Sequence, residues 1–122
     1  MARILVCEDE TDLLALITRR LVRAGHEVIT AMNGEDGYRL ALEESPDVIV
    51  LDWMMPGLTG LEVCRALRAH PAASTSRLLM LTARAQETDM AAAFDAGIDE
   101  YVIKPFRPDE LQERIAALLE RS

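Results

Sequence analysis

Five polar side chains stand where short apolar runs end. Glu8 and Asp9 follow residues 4–7, Asp52 closes 48–52, Thr82 closes 78–82, and Lys104 follows 100–103. Three carboxylates brought together repel, which raises at least one pKa unless a cation relieves them. Hard oxygen donors with a small surplus of negative charge suit magnesium, which keeps several waters and takes one or two carboxylates. A lysine beside them would offset part of that charge and could later hold an anion as a point charge. A threonine hydroxyl could donate to the same anion. Carboxylate nucleophile, metal, lysine and hydroxyl donor together make a phosphoryl-transfer site, where catalysis is mostly positioning and charge neutralisation.

These residues meet only if the elements bearing them run parallel. The chain alternates short apolar runs with longer helical patterns. Strands are expected at 4–7, 27–31, 48–52, 78–82 and 100–103, the second and fifth being the less buried. Helices are expected at 11–24, 35–44, 58–69, 87–96 and 108–121. Gly25 stops the first in the left-handed C′ position, and Pro108 suits the first turn of the last. Strand-helix units repeated in this way imply a parallel sheet with helices on both faces. The common five-stranded order is 2-1-3-4-5, with ligands outside the carboxyl ends of strands 1 and 3. That edge is where the five polar residues fall.

Composition narrows the function classes. The 122 residues make one domain, 1–122, long enough to bury an aliphatic core. The longest apolar runs are too short to cross a bilayer. Glu8-Asp9-Glu10 follows the first run and is wrong for a signal peptide, so the cytoplasm is the expected compartment. A formal net charge of -8 argues against direct nucleic-acid binding and for metal ions and basic partner surfaces. Cys7 and Cys64 are expected reduced and buried, not as a disulfide or a zinc site.

At these residues the chain resembles the receiver domain of two-component response regulators, over essentially its whole length. The resemblance rests on Ile4-Leu5-Val6-Cys7-Glu8-Asp9-Glu10, on the run from Val50-Leu51-Asp52-Trp53-Met54-Met55-Pro56-Gly57 to Val63, on Leu81-Thr82-Ala83-Arg84, and on Asp99-Glu100-Tyr101-Val102-Ile103-Lys104-Pro105-Phe106. It implies a flavodoxin-like three-layer sandwich, (βα)5. It also implies that Asp52 accepts a phosphoryl group from a phosphohistidine on a histidine kinase or histidine phosphotransfer protein. Glu8, Asp9, Asp52 and the backbone carbonyl of Met54 would face Mg2+, with Mn2+ as a substitute. Lys104 would pair with the phosphoryl oxygens and Thr82 would bond another. Tyr101 would then swing inward, and the peptide bond between Lys104 and Pro105 would be cis. Ala83 would leave the acceptor accessible, while Met54 and Arg84 would tune hydrolysis of the acyl phosphate.

By the same resemblance the chain is a switch and not an enzyme, although it would catalyse its own phosphorylation and slow autodephosphorylation. Phosphate adds a charge of about −1.5 to −2. Moving an equilibrium from 1:99 to 99:1 takes about 5.5 kcal/mol. The pattern is nearest to receivers of winged-helix transcriptional regulators, which pair through helix 4, strand 5 and helix 5. Asp99, Glu100, Arg114 and Arg121 fit the charged pairs of such a homodimer. Met90, Ala91, Ala92 and Ala93 depart from its usual basic helix 4.

Plainer readings exist for each residue. Glu8-Asp9-Glu10 could serve only the dipole of the first helix. Thr82 could be only a β-branched strand residue. Tyr101 could be a half-buried aromatic on an edge strand. Trp53 is expected at the surface or in an interface, Met54 and Met55 in loop packing, and Gly57 and Gly60 in loop geometry and helix entry. Asp52 and Lys104 on the same edge favour the site. A phosphorylation-independent binding module of the same fold remains the alternative. An aspartyl-phosphate phosphatase would want a second aspartate where Met54 stands. A flavin carrier would want a glycine- and hydroxyl-rich loop where the acidic run stands.

Overall fold

The structure, a computed structural model, describes residues 1–121; Ser122, the last residue of the expected domain, lies outside them. Five strands and five helices alternate: β1 (Arg3–Cys7), α1 (Thr11–Arg23), β2 (Glu27–Ala31), α2 (Gly34–Glu44), β3 (Val48–Asp52), α3 (Gly60–Ala69), β4 (Arg77–Thr82), α4 (Glu87–Ala96), β5 (Glu100–Ile103) and α5 (Pro108–Glu120). The strands form one sheet in the order β2-β1-β3-β4-β5. Every neighbouring pair is parallel. The parallel order expected from the alternation, and with it the flavodoxin-like architecture implied by the resemblance, is therefore present.

Two apolar layers enclose the sheet. On one face Leu5, Ile49, Leu51, Leu78 and Met80 pack with α2, α3 and α4 residues such as Ala41, Val63, Leu67 and Ala93. On the other, Ile4, Val6, Val48, Val50, Leu79 and Leu81 pack under Leu14, Ile17 and Leu21 of α1 and Leu111, Ile115 and Leu118 of α5. Period-2 alternation sends successive strand residues to opposite layers, so central strands must be apolar throughout. All five residues of β3 are buried, whereas β2 and β5, the sheet edges, are partly exposed. Each fully buried leucine or isoleucine contributes about 1.5–3 kcal/mol relative to exposure.

The ends of the elements follow local chemistry. Gly25 takes φ of 95° after α1, as its place in the sequence requires. The third helix starts at Gly60, two residues after the expected 58, because Thr59 is its N-cap. The Thr59 hydroxyl accepts from the Glu62 amide at 3.2 Å while the Thr59 amide donates to the Glu62 carboxylate at 2.9 Å. The peptide bond between Lys104 and Pro105 is cis. Cys7 and Cys64 are free and buried. Burial pushes their thiols up to about 12 and about 11, so both stay protonated.

Candidate functional site

The carboxyl ends of β1, β3, β4 and β5 open into one cleft of about 430 Å3, which includes Glu8, Asp9, Asp52, Met54, Thr82, Arg84 and Lys104 in its lining. Strand register explains the convergence. Cys7 is level with Leu51, Asp52 with Leu81, and Thr82 with Ile103, so the next residue on each strand faces the same rim.

Glu8 and Asp52 are buried, at 0% and 5% exposure, whereas Asp9 is exposed. One carboxylate oxygen from each of the three lies within 4.8 Å of the others. Lys104 Nζ stands 3.0 Å from Glu8 Oε1 and 3.4 Å from Asp52 Oδ2. The ammonium therefore pairs with two of the three carboxylates and leaves a surplus of negative charge, and the donor set fits a small divalent cation bound by oxygen. The amide of Glu10 donates to Glu8 Oε2 at 3.0 Å, which fixes the Glu8 carboxylate. The amide of Met54 approaches Asp52 Oδ1 at 3.4 Å.

Electrostatics follow from this geometry. Burial, then the hydrogen bond and charge of Glu8, push the Asp52 carboxyl up to about 7, against the opposing pull of Lys104. Burial works to lower the Lys104 pKa, yet the Glu8 hydrogen bond and the Asp52 charge outweigh it and leave it raised. A cation added to the cleft lowers the cost of ionising Asp52.

Thr82 is buried at the end of β4, and its Oγ1 accepts from the Arg84 amide at 3.0 Å. The hydroxyl proton remains free to donate elsewhere. Tyr101 is 5% exposed, more buried than an ordinary edge aromatic. Its hydroxyl donates to the Arg84 carbonyl at 2.8 Å, and its ring lies 6.2 Å from that of Phe94. Thr82 and Tyr101 are thus joined through the backbone of Arg84.

Trp53 differs from its expected surface place: it is 7% exposed and belongs to the core layer beneath α3. Its amide donates to the Leu81 carbonyl at 3.2 Å, which ties the backbone after Asp52 to β4. Sequence reading also missed Asp89, whose carboxylate holds Arg84 at 3.2 Å, and the docking of Arg84 over the Trp53 ring at 4.9 Å. The tryptophan directly after Asp52 was the available signal. Gly60 is required by contact as well as by helix entry, since a Cβ there would lie 2.4 Å from the Asp52 carbonyl oxygen.

Asp99, Glu100, Arg114 and Arg121 pair inside the chain. Arg114 reaches Glu100 at 2.5 Å, Arg121 reaches Glu100 at 3.8 Å, and Arg68 reaches Asp99 at 3.0 Å. A larger cavity of about 800 Å3 lies at the opposite end of the sheet. Its arginines are engaged: Arg68 donates to the carbonyls of Gly97, Ser74 and Ser76, and Arg77 to that of Arg121. No helix among the described residues is long and apolar enough to cross a membrane.

Residues 4–116 match the family described as response regulator receiver domain. The chain is 39% identical over its full length to the phosphate regulon transcriptional regulatory protein PhoB of Rhizobium meliloti, of which it covers 54%. It is 43% identical over 98% of its length to the alkaline phosphatase synthesis transcriptional regulatory protein PhoP of Bacillus subtilis, of which it covers 49%. The chain thus spans about half the length of these curated relatives. Among solved structures, it resembles the receiver domain of the sensor histidine kinase PA1611 of Pseudomonas aeruginosa, at a TM-score of 0.90 and 28% identity, covering 98% of each chain. That structure has a magnesium ion coordinated in its active-site cleft.

Proposed function

Since this chain belongs to the response regulator receiver family, we propose that it acts in two-component signalling with Asp52 as its phosphoacceptor. The observation that carries the proposal is the Asp52 carboxylate at 5% exposure in an acidic cleft, with Lys104 Nζ 3.4 Å away. The donor is a phosphohistidine on a histidine kinase or histidine phosphotransfer protein. An Asp52 oxygen attacks phosphorus, and the phosphorus–nitrogen bond breaks with its electron pair returning to the imidazole. Lys104 holds a phosphoryl oxygen by charge, and the free proton of the Thr82 hydroxyl bonds another.

Glu8, Asp9, Asp52 and the Met54 carbonyl would hold Mg2+, or Mn2+ in its place. Such an ion supplies charge neutralisation and a fixed seat for phosphoryl oxygens. This chain's residues supply the rest: Glu10 fixes Glu8, and Gly60 lets the backbone after Asp52 pass closely.

The switch runs through Arg84. A phosphoryl group that draws the Thr82 hydroxyl pulls on the Arg84 backbone, and Tyr101 is bonded to the same residue. Tyr101 is already packed inward, with its hydroxyl on the Arg84 carbonyl, so its part in the switch is to hold the segment after β4 and no swing from an outward position is needed. Residues 1–122 act as one receiver unit, in the cytoplasm, apart from nucleic acid. They are not an enzyme in the usual sense, yet they catalyse their own phosphorylation and slow dephosphorylation. A homodimer through α4, β5 and α5 requires Glu100 and Asp99 to exchange their internal partners.

The test is intact mass after incubation with acetyl phosphate, with and without Mg2+, for the wild type and Asp52→Asn. A magnesium-dependent gain of one phosphoryl group that is absent in Asp52→Asn supports the reading. No gain together with no Mg2+ binding leaves the phosphorylation-independent binding module.

A further inference from the structure

We propose that Glu35, at the start of α2, is a positioning residue for the cation site: its carboxylate holds the loop between β3 and α3 so that the Met54 carbonyl faces the ion. The inference rests on Glu8, Asp9, Asp52 and the Met54 carbonyl being the seat of Mg2+.

Residues 53–59 join β3 to α3. The two ends of this loop are tied to the sheet and to each other. The Trp53 amide donates to the Leu81 carbonyl at 3.2 Å, and the Trp53 carbonyl accepts from the Gly60 amide at 2.8 Å. The middle of the loop hangs on α2. The Leu58 amide donates to Glu35 Oε1 at 3.2 Å, and the Pro56 carbonyl accepts from the Gly34 amide at 3.3 Å. Met54 lies between these anchorages. Its side chain is 58% exposed, so core packing does not fix it. The direction of its carbonyl is therefore set by the bonds on either side.

Two glycines let α2 come this close. Gly57 has φ of 76°, and a Cβ on it would strike Glu35 Oε1. A Cβ on Gly34 would strike the Leu58 carbonyl oxygen, so backbone meets backbone there. Glu35 stands in the first turn of α2, where the helix dipole favours a carboxylate. An ionised carboxylate is also the stronger acceptor for the Leu58 amide. A backbone carbonyl cannot be re-aimed by a change of rotamer, so a ligand of that kind depends on what holds its loop.

The test uses the whole chain, titrated with Mg2+ by calorimetry and followed by amide hydrogen exchange in EDTA. Glu35→Ala weakens Mg2+ binding about three- to tenfold. Without the ion, its Met54, Met55 and Leu58 amides exchange faster than those of the wild type. Exchange in the strands is unchanged, which general destabilisation would not allow. Glu35→Gln removes the charge but keeps an acceptor for the Leu58 amide, and it restores Mg2+ affinity to within about twofold of the wild type. Unchanged Mg2+ affinity or unchanged loop exchange in Glu35→Ala overturns the proposal. Equal weakening in the alanine and glutamine variants also overturns it, because charge at a distance is then the cause. A wild type that binds no Mg2+ overturns the cation site itself, and this inference with it.

Discussion

Lys104 Nζ lies closer to Glu8, at 3.0 Å, than to Asp52, at 3.4 Å. The ammonium therefore serves first the carboxylate that would hold a cation, and only second the proposed acceptor. A bound cation would compete with Lys104 for Glu8 and would leave the ammonium to Asp52.

Lys104→Met removes the competitor. Mg2+ binds about three- to tenfold more tightly, since a positive charge beside the ligands is lost. Trp53, the only tryptophan, gives a fluorescence readout for the titration. Weaker binding in the variant would show that Lys104 orders the site more than it opposes the ion.

The pH dependence of stability has a definite sign. Burial and Glu8 raise the Asp52 pKa from 3.8 to about 7. Between those values the folded chain keeps a proton that the unfolded chain has lost. This contribution to stability is full below 3.8 and is lost as the pH rises through about 7. In EDTA, Asp52→Asn stabilises the protein by about 1–3 kcal/mol near pH 8 and by much less near pH 4. Urea denaturation of both chains across that range measures the difference; a flat difference contradicts the buried, Glu8-facing carboxyl.

Gly60→Ala puts a methyl group against the Asp52 carbonyl oxygen, where a Cβ would sit at 2.4 Å. The expected cost is about 1–3 kcal/mol. The strain falls on the backbone that aims Asp52, so phosphorylation by acetyl phosphate slows more than the stability loss explains. Equal rates in the two chains would place the relief in α3 instead.

Tyr101→Phe removes the donor to the Arg84 carbonyl, bonded at 2.8 Å. Stability falls by about 1 kcal/mol. Phosphorylation is retained, while amide exchange speeds up in the segment between β4 and α4. Unchanged exchange there would mean that Thr82 holds the segment without Tyr101.

Much of the site was legible before folding because its causes are local. Pleat period, strand length, Gly25 and Pro108 set the element order, and the first polar residue after each buried run must lie at a strand end. Glu8, Asp52, Thr82 and Lys104 were found that way. The shift of the third helix to Gly60 was readable in principle from the Thr59 and Glu62 spacing.

Tertiary packing decided the rest. Lys104 chooses Glu8 across 96 positions of sequence, a choice set by side-chain reach over the sheet edge. Trp53 is buried in the core layer, with its amide tied to β4 and Arg84 over its ring, contacts made between elements far apart in sequence. Glu100 takes Arg114 and Arg121 from its own chain, which residue types alone could as well have assigned to a partner. Sequence by itself determined which residues stand at the rim, since that depends on local periodicity. Only the folded chain decided which of them hold one another, since that depends on distances between elements far apart along it.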